Sequence, residues 1–245
     1  MTDDFRGRRI IVTGGTRGLG AEAVRFLAGQ GATILAHGRS SNDTILHPNV
    51  EFIYLDFAVQ GNVEKFTSRA LEFDPDSILH CLGGGFKRSS DFIVRDDFLY
   101  LLNLNFMVSL EINNILIPKM LQVKRGWIIH FSSIATRELT ASLGYTCVKS
   151  LIAPYVKHLG RKLVSEEVFM SGVTLGALSG GDGALDRLEA ERNDVYNTLI
   201  VQRRPTNRAS PTAELMPFIK LLLSKYGKVH ASNMICLDEA EGIRI

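Results

Sequence analysis

Cysteine is scarce: Cys81, Cys147 and Cys236 are three in 245 residues, an odd number, far apart and without metal-ligand spacing. This argues against a disulfide framework or a metal cluster, and favours buried thiols in a reducing compartment. No unbroken apolar run reaches the ~18 residues of a membrane span, and the opening MTDDFRGRR lacks the apolar core of an export signal. The expectation is a soluble, cytoplasmic protein. Charge is not concentrated either: 28 Lys and Arg against 26 Asp and Glu leave a net charge of +2, scattered without a cationic run or interleaved aromatics. That argues against nucleic acid as a partner. Repeats, low-complexity tracts and linker-like stretches are absent as well, so a single domain is expected over 1–245.

What the chain does contain is a series of short apolar or β-branched runs. They fall at 9–14, 32–37, 50–56, 77–82, 127–132 and 168–175, with a weaker one at 233–238. Segments of helical periodicity lie between most of them, among them GAEAVRFLAGQG, VEKFTSRALEF and the long FLYLLNLNFMVSLEINNILIPKMLQ. Strands alternating with helices predict an α/β fold, a doubly wound parallel sheet of about seven strands with helices on both faces. Right-handed crossovers would bring the strand carboxyl ends to one edge, where a ligand crevice opens. Residues 176–210 break the pattern with glycines, a charged helical middle and a return through Pro205. Both a mobile flap and an ordinary surface hairpin fit that composition.

The string TGGTRGLG, residues 13–20, follows the first strand and opens the first helix. Gly14, Gly18 and Gly20 permit a tight turn and close approach to a pyrophosphate, with Thr16, Arg17 and Leu19 between them. The spacing differs from the GxGxxG fingerprint, so the strand before and the helix after carry the nucleotide reading. The second strand ends LAHGRS, with Gly38 where an acid would hold a ribose 2′-hydroxyl, followed by Arg39 and Ser40. Arg17 and Arg39 without an acid favour NADP (NADPH) over NAD; the bland alternative is two solvated arginines.

Tyr145 and Lys149, in GYTCVKS, stand one helical turn apart, which sets a phenol and an ammonium on one face. With TGGTRGLG, the serines of WIIHFSS and Asn105, this pair resembles the short-chain dehydrogenase/reductase family over nearly the whole length. The resemblance implies a Rossmann-type fold and hydride transfer between nicotinamide and a ketone or secondary alcohol. A carbonyl that accepts hydride becomes an alkoxide and needs a proton donor within hydrogen-bond reach. By the resemblance Tyr145 is that acid/base, Lys149 lowers its pKa and meets the nicotinamide ribose, and Asn105 holds a helix irregularity and a relaying water. A serine stabilises the developing charge. The interval to Tyr145 favours Ser132 by counting and Ser133 by strand alternation, and Ser133 is preferred. Further cofactor contacts implied by the resemblance are Asp56, Phe57, Gly83, Gly176 and Leu178.

Departures from the family are concentrated away from the reacting groups. HCLGGG replaces an asparagine-rich string, with His80 read as a hydrogen-bonded structural residue, and TLGALS replaces a proline-glycine turn. Lys87, Arg88 and Arg137 are read as charges on loops around the crevice, solvated or facing an anionic substrate. The resulting expectation is an NADPH-dependent carbonyl reductase acting on a small molecule, without a metal, as a homodimer or homotetramer. The alternative is an NADP-binding sensor or scaffold without turnover.

Overall fold

The computed structural model describes residues 5–41 and 47–243, so the first four residues of the polar opening lie outside it. Nine strands occur among the described residues: β1 (Arg9–Thr13), β2 (Thr33–Gly38), β3 (Val50–Tyr54), β4 (Ser77–His80), β5 (Gly126–Ser133), β6 (Val168–Leu175), β7 (Leu178–Ser179), β8 (Ser210–Pro211) and β9 (Met234–Leu237). Seven of them form one parallel sheet in the order β3-β2-β1-β4-β5-β6-β9. All seven apolar runs of the sequence are strands of this sheet.

Helices cover both faces, which is why the inner strands read as nearly unbroken apolar runs. They are α1 (Gly18–Gly29), α2 (Asn62–Phe73), α3 (Arg95–Leu102), α4 (Val108–Val123), α5 (Ala135–Glu138), α6 (Leu143–Ser150), α7 (Ile152–Leu163), α8 (Ala184–Glu191), α9 (Asn193–Tyr196) and α10 (Met216–Leu223). Successive side chains of a strand point to opposite faces, and β1 divides its residues accordingly. Ile11 joins Phe66, Ile112, Leu116 and Val156 of α2, α4 and α7 in one core. Ile10 and Val12 join Val24, Leu27, Ile219 and Leu223 of α1 and α10 in the other. Strand order reverses between β1 and β4, and a doubly wound sheet binds its ligands at that point.

The long apolar helix is interrupted by a π-helical turn, Asn103–Met107, between α3 and α4. Over Arg95–Val123 it is long and apolar enough to span a bilayer by composition, which the count of unbroken apolar residues did not register. Half of its most apolar window is buried inside the protein, as in a core helix. The expectation of buried thiols is corrected for two of three: Cys147 and Cys236 are exposed, while Cys81 is half-buried.

The 176–210 excursion folds as α8, α9 and a π-helical turn, Asn197–Val201, closed at its base by the two-residue parallel ladder β7·β8. Tyr196, Ile200 and Ala209 give it a small apolar core of its own, against Leu185, Leu188 and Leu199. Its root is held by Arg204, whose side chain is fully buried. The Arg204 guanidinium donates to the Ala177 carbonyl (2.9 Å), Ser210 Oγ (2.9 Å), the Asp238 carbonyl (3.1 Å) and Glu239 Oε2 (3.2 Å). Its Nε faces Glu241 Oε2 at 3.3 Å without hydrogen-bond alignment. Removing one member of a buried ion pair leaves uncompensated charge and carbonyls, which costs about 3–5 kcal/mol. Arg204→Ala is therefore expected to lower stability by that order in chemical denaturation, whereas Arg208→Ala, at a half-exposed ion pair, is expected to change it by less than about 1 kcal/mol.

Candidate active site

A cleft of about 650 Å³ opens along the carboxyl ends of the strands, from the glycine loop at one end to Tyr145 and the excursion at the other. The glycine loop is packed backbone on backbone. A Cβ on Gly14, whose φ is +68°, would lie 2.9 Å from Leu82 Cα, and one on Gly20 would overlap the Gly14 carbonyl. Only glycine allows this approach, which leaves the start of α1 without a side-chain cap, and Gly18, Leu19 and Gly20 on the cleft wall. A dinucleotide pyrophosphate fits such a cradle of backbone N–H groups at a helix N-terminus.

His37, which the sequence reading passed over, fixes the loop from below. Its Nδ1 accepts from the Gly14 N–H (3.3 Å) and its Nε2 donates to the Leu55 carbonyl (2.8 Å), which selects one neutral tautomer. Burial holds its pKa down to about 4, and its ring stacks on Phe57 at 3.7 Å. Phe57 is itself buried, while Asp56 accepts from the Ala58 N–H at 2.9 Å; both lie just beyond the end of β3 and line the cleft. Gly38 lies against Thr16, whose side chain would have to shift to admit a Cβ there. Arg39 and Ser40 follow it along the same wall, and Arg17 lies on the opposite side of Thr16 in the chain.

At the other end, Tyr145 and Lys149 share α6 and reach the cleft beside β5. The two serines divide as strand alternation requires. Ser132 Oγ turns inward and donates to the Lys149 carbonyl (3.1 Å), while the Ser133 hydroxyl lies in hydrogen-bond reach of the Tyr145 phenol. Lys149 is 5% exposed, and its Nζ donates to the Phe131 carbonyl (2.9 Å). Burial lowers its pKa to about 8, with the Cys81 thiol a smaller opposing influence. Asn105 lies inside the π-helical turn. Its Nδ2 donates to the Leu101 and Gly84 carbonyls (2.9 and 3.0 Å), and its Oδ1 accepts from the Gly84 N–H (2.9 Å). Gly83 fits between Asn105 and Lys149, where a Cβ would stand 2.8 Å from Asn105 Oδ1 and 2.9 Å from Lys149 Nζ.

Burial raises the Tyr145 pKa above the ordinary phenol value, and the Ser133 hydrogen bond opposes it only in part. Lys149 Nζ, bonded to the Phe131 carbonyl, stands 5.8 Å from the Tyr145 ring centroid.

The wall between these ends is built by Gly176, Ala177 and Leu178, with the Ala177 N–H donating to Glu241 Oε2 at 2.7 Å. Glu241, Arg204 and Asp182 escaped the sequence reading because no local pattern marks their partners. His80 is a structural residue: its Nε2 meets Asn113 Oδ1 (2.9 Å), Asn113 Nδ2 meets His130 Nε2 (3.0 Å), and the two imidazoles stack at 4.5 Å. Of the loop cations, Arg88 is committed to Asp97 (2.8 Å) and lies over the Tyr100 ring, and neither Lys87 nor Arg137 lines the cleft.

Residues 8–185 match the family model described as short chain dehydrogenase. A tropinone reductase homolog of Arabidopsis thaliana is 22% identical, over 96% of this chain and 91% of the relative. A 3-oxoacyl-[acyl-carrier-protein] reductase of Rickettsia typhi is 25% identical, over 82% of this chain and 83% of the relative. Among solved structures, a 3-oxoacyl (acyl-carrier-protein) reductase of Agrobacterium tumefaciens with NADP bound superposes with a TM-score of 0.86. It is 20% identical, over 96% of this chain and 94% of that one.

Burial of Lys149 has a measurable signature. Its folded pKa of about 8 lies below the unfolded 10.5, so the unfolded chain binds the proton more tightly between those values. Stability due to this group rises with pH through that window, by about 3 kcal/mol in full. The difference in denaturation free energy between wild type and Lys149→Met is expected to shift toward the wild type by that order from pH 8 to 10.5. A flat difference would contradict the assigned burial.

Proposed function

The chain belongs to the short-chain dehydrogenase family of oxidoreductases, and from that premise we propose that it is an NADPH-dependent carbonyl reductase, working reversibly on a ketone or secondary alcohol. The observation that carries the reading is the convergence of Tyr145, Ser133 and Lys149 at one end of a cleft whose other end is the glycine loop, with Asn105 behind Gly83.

NADPH, when bound, supplies the hydride. The residues proposed to hold it are Gly14, Thr16, Arg17, Gly18, Leu19 and Gly20 at the pyrophosphate, with Arg39 and Ser40 toward the 2′-phosphate. Asp56 and Phe57 would flank the adenine, and Gly83, Gly176 and Leu178 the nicotinamide end. The preference for the phosphorylated dinucleotide rests on Gly38. A Cβ at that position would require the Thr16 side chain to shift, and Arg17 and Arg39 both line the cleft.

Tyr145 is proposed to give its phenolic proton to the carbonyl oxygen as that oxygen gains charge, and Ser133 to donate a hydrogen bond to the same atom. Removing water from around the phenol raises its pKa, so a compensating cation is needed for turnover near neutrality. Lys149, whose ammonium stands 5.8 Å from the Tyr145 ring centroid, is proposed to be that cation. Asn105 fixes the Gly84 backbone beside Lys149 and is proposed to seat the water through which the proton is replaced. A homodimer or homotetramer accords with the half-exposed Leu99, Ile115 and Leu151 on the α3, α4 and α6–α7 surface.

Tyr145→Phe tests the reading. NADPH binding, followed by nicotinamide fluorescence, should be retained, while carbonyl-dependent oxidation at 340 nm falls by about 10²- to 10⁴-fold. Full turnover in the variant would overturn it.

A further inference from the structure

Building on the NADP reading, we propose that Asp182, carried on the excursion, sets how strongly the cleft discriminates NADP from NAD. The usual place for an acid that reads the ribose is taken by Gly38 in this chain, where a Cβ would require Thr16 to shift. An acid nevertheless stands at the relevant cation: Asp182 Oδ2 lies 3.5 Å from Arg17 Nε, and both residues line the cleft.

The backbone holds that carboxylate in place. Gly180, Gly181 and Asp182 are three successive left-handed residues, with φ of +103°, +69° and +55°. They turn the chain so that the Gly181 carbonyl accepts from the Gly18 N–H at 2.6 Å, joining the excursion to the glycine loop. Asp186 secures the turn by accepting from the Gly180 and Gly183 N–H groups, each at 2.8 Å. Arg187 flanks Asp182 on its far side, with Nη1 3.5 Å from the same Oδ2.

The consequence follows from charge. Arg17 beside a carboxylate presents less net positive potential to a 2′-phosphate, and that dianion must also approach Asp182 itself. A 2′-hydroxyl, by contrast, finds an acceptor there. Asp182 thus opposes the selectivity that Arg17 and Arg39 create. Both side chains of the pair are about half exposed, so solvent screens the effect. The expected size is a shift of about two- to five-fold.

The experiment measures equilibrium binding of NADPH and NADH to wild type and Asp182→Asn by nicotinamide fluorescence at low ionic strength. It is repeated in an Arg17→Ala background. The ratio of Kd for NADH to Kd for NADPH should rise two- to five-fold in Asp182→Asn and by a clearly smaller factor when the same change is made beside Arg17→Ala. An unmoved ratio, or an equal shift in both backgrounds, overturns the proposal while leaving the cofactor reading intact. Wild type that binds neither dinucleotide sinks both.

Discussion

The arrangement depends on one buried ammonium. Lys149 is taken out of water and given to the Phe131 carbonyl, while the hydroxyl of Ser132, on the same strand, is given to the Lys149 carbonyl. Helix α6 and strand β5 are thus tied in both directions across a single contact, and the tie sets Tyr145 opposite Ser133. The cost of dehydrating the ammonium appears in its lowered pKa. The bond to the Phe131 carbonyl is the one hydrogen bond that meets this dehydrated ammonium among the described residues.

The centre of the sheet is secured by unusual means. His80 on β4 and His130 on β5 are paired in register, and Asn113 of α4 reaches both, with a further bond to the Tyr155 hydroxyl at 3.1 Å. Burial keeps both imidazoles neutral, so His80 Nε2 donates to the Asn113 amide oxygen and His130 Nε2 accepts from its nitrogen without placing a second charge beside Lys149. This answers how the central strand is held where HCLGGG replaces the asparagine-rich string of the family.

The sheet was legible in the sequence because strands covered on both faces leave continuous apolar runs, and the long helix because its periodicity persists through the π-helical turn. Tyr145 and Lys149 were legible because one helical turn is a local spacing. Arg204 was not: its partners at 177, 210, 238, 239 and 241 come from separate segments and form no pattern along the chain. Asp182 is equally silent, since its tie to Arg17 spans most of the sheet's construction. The cysteines were misjudged for a geometric reason. Cys236 sits on β9, an edge strand with a neighbour on one side only, and Cys147 on the outward face of α6.

Arg204 and Glu241 also bear on the order in which the protein can be made. The glycine loop leaves the ribosome early, yet the wall at Gly176 and Ala177 is braced by residues 238 to 241, translated more than two hundred codons later. A nascent chain can form the β1–β3 half and its cradle while the opposite wall still lacks its support. The cleft is thus open on one side until the polypeptide is nearly finished.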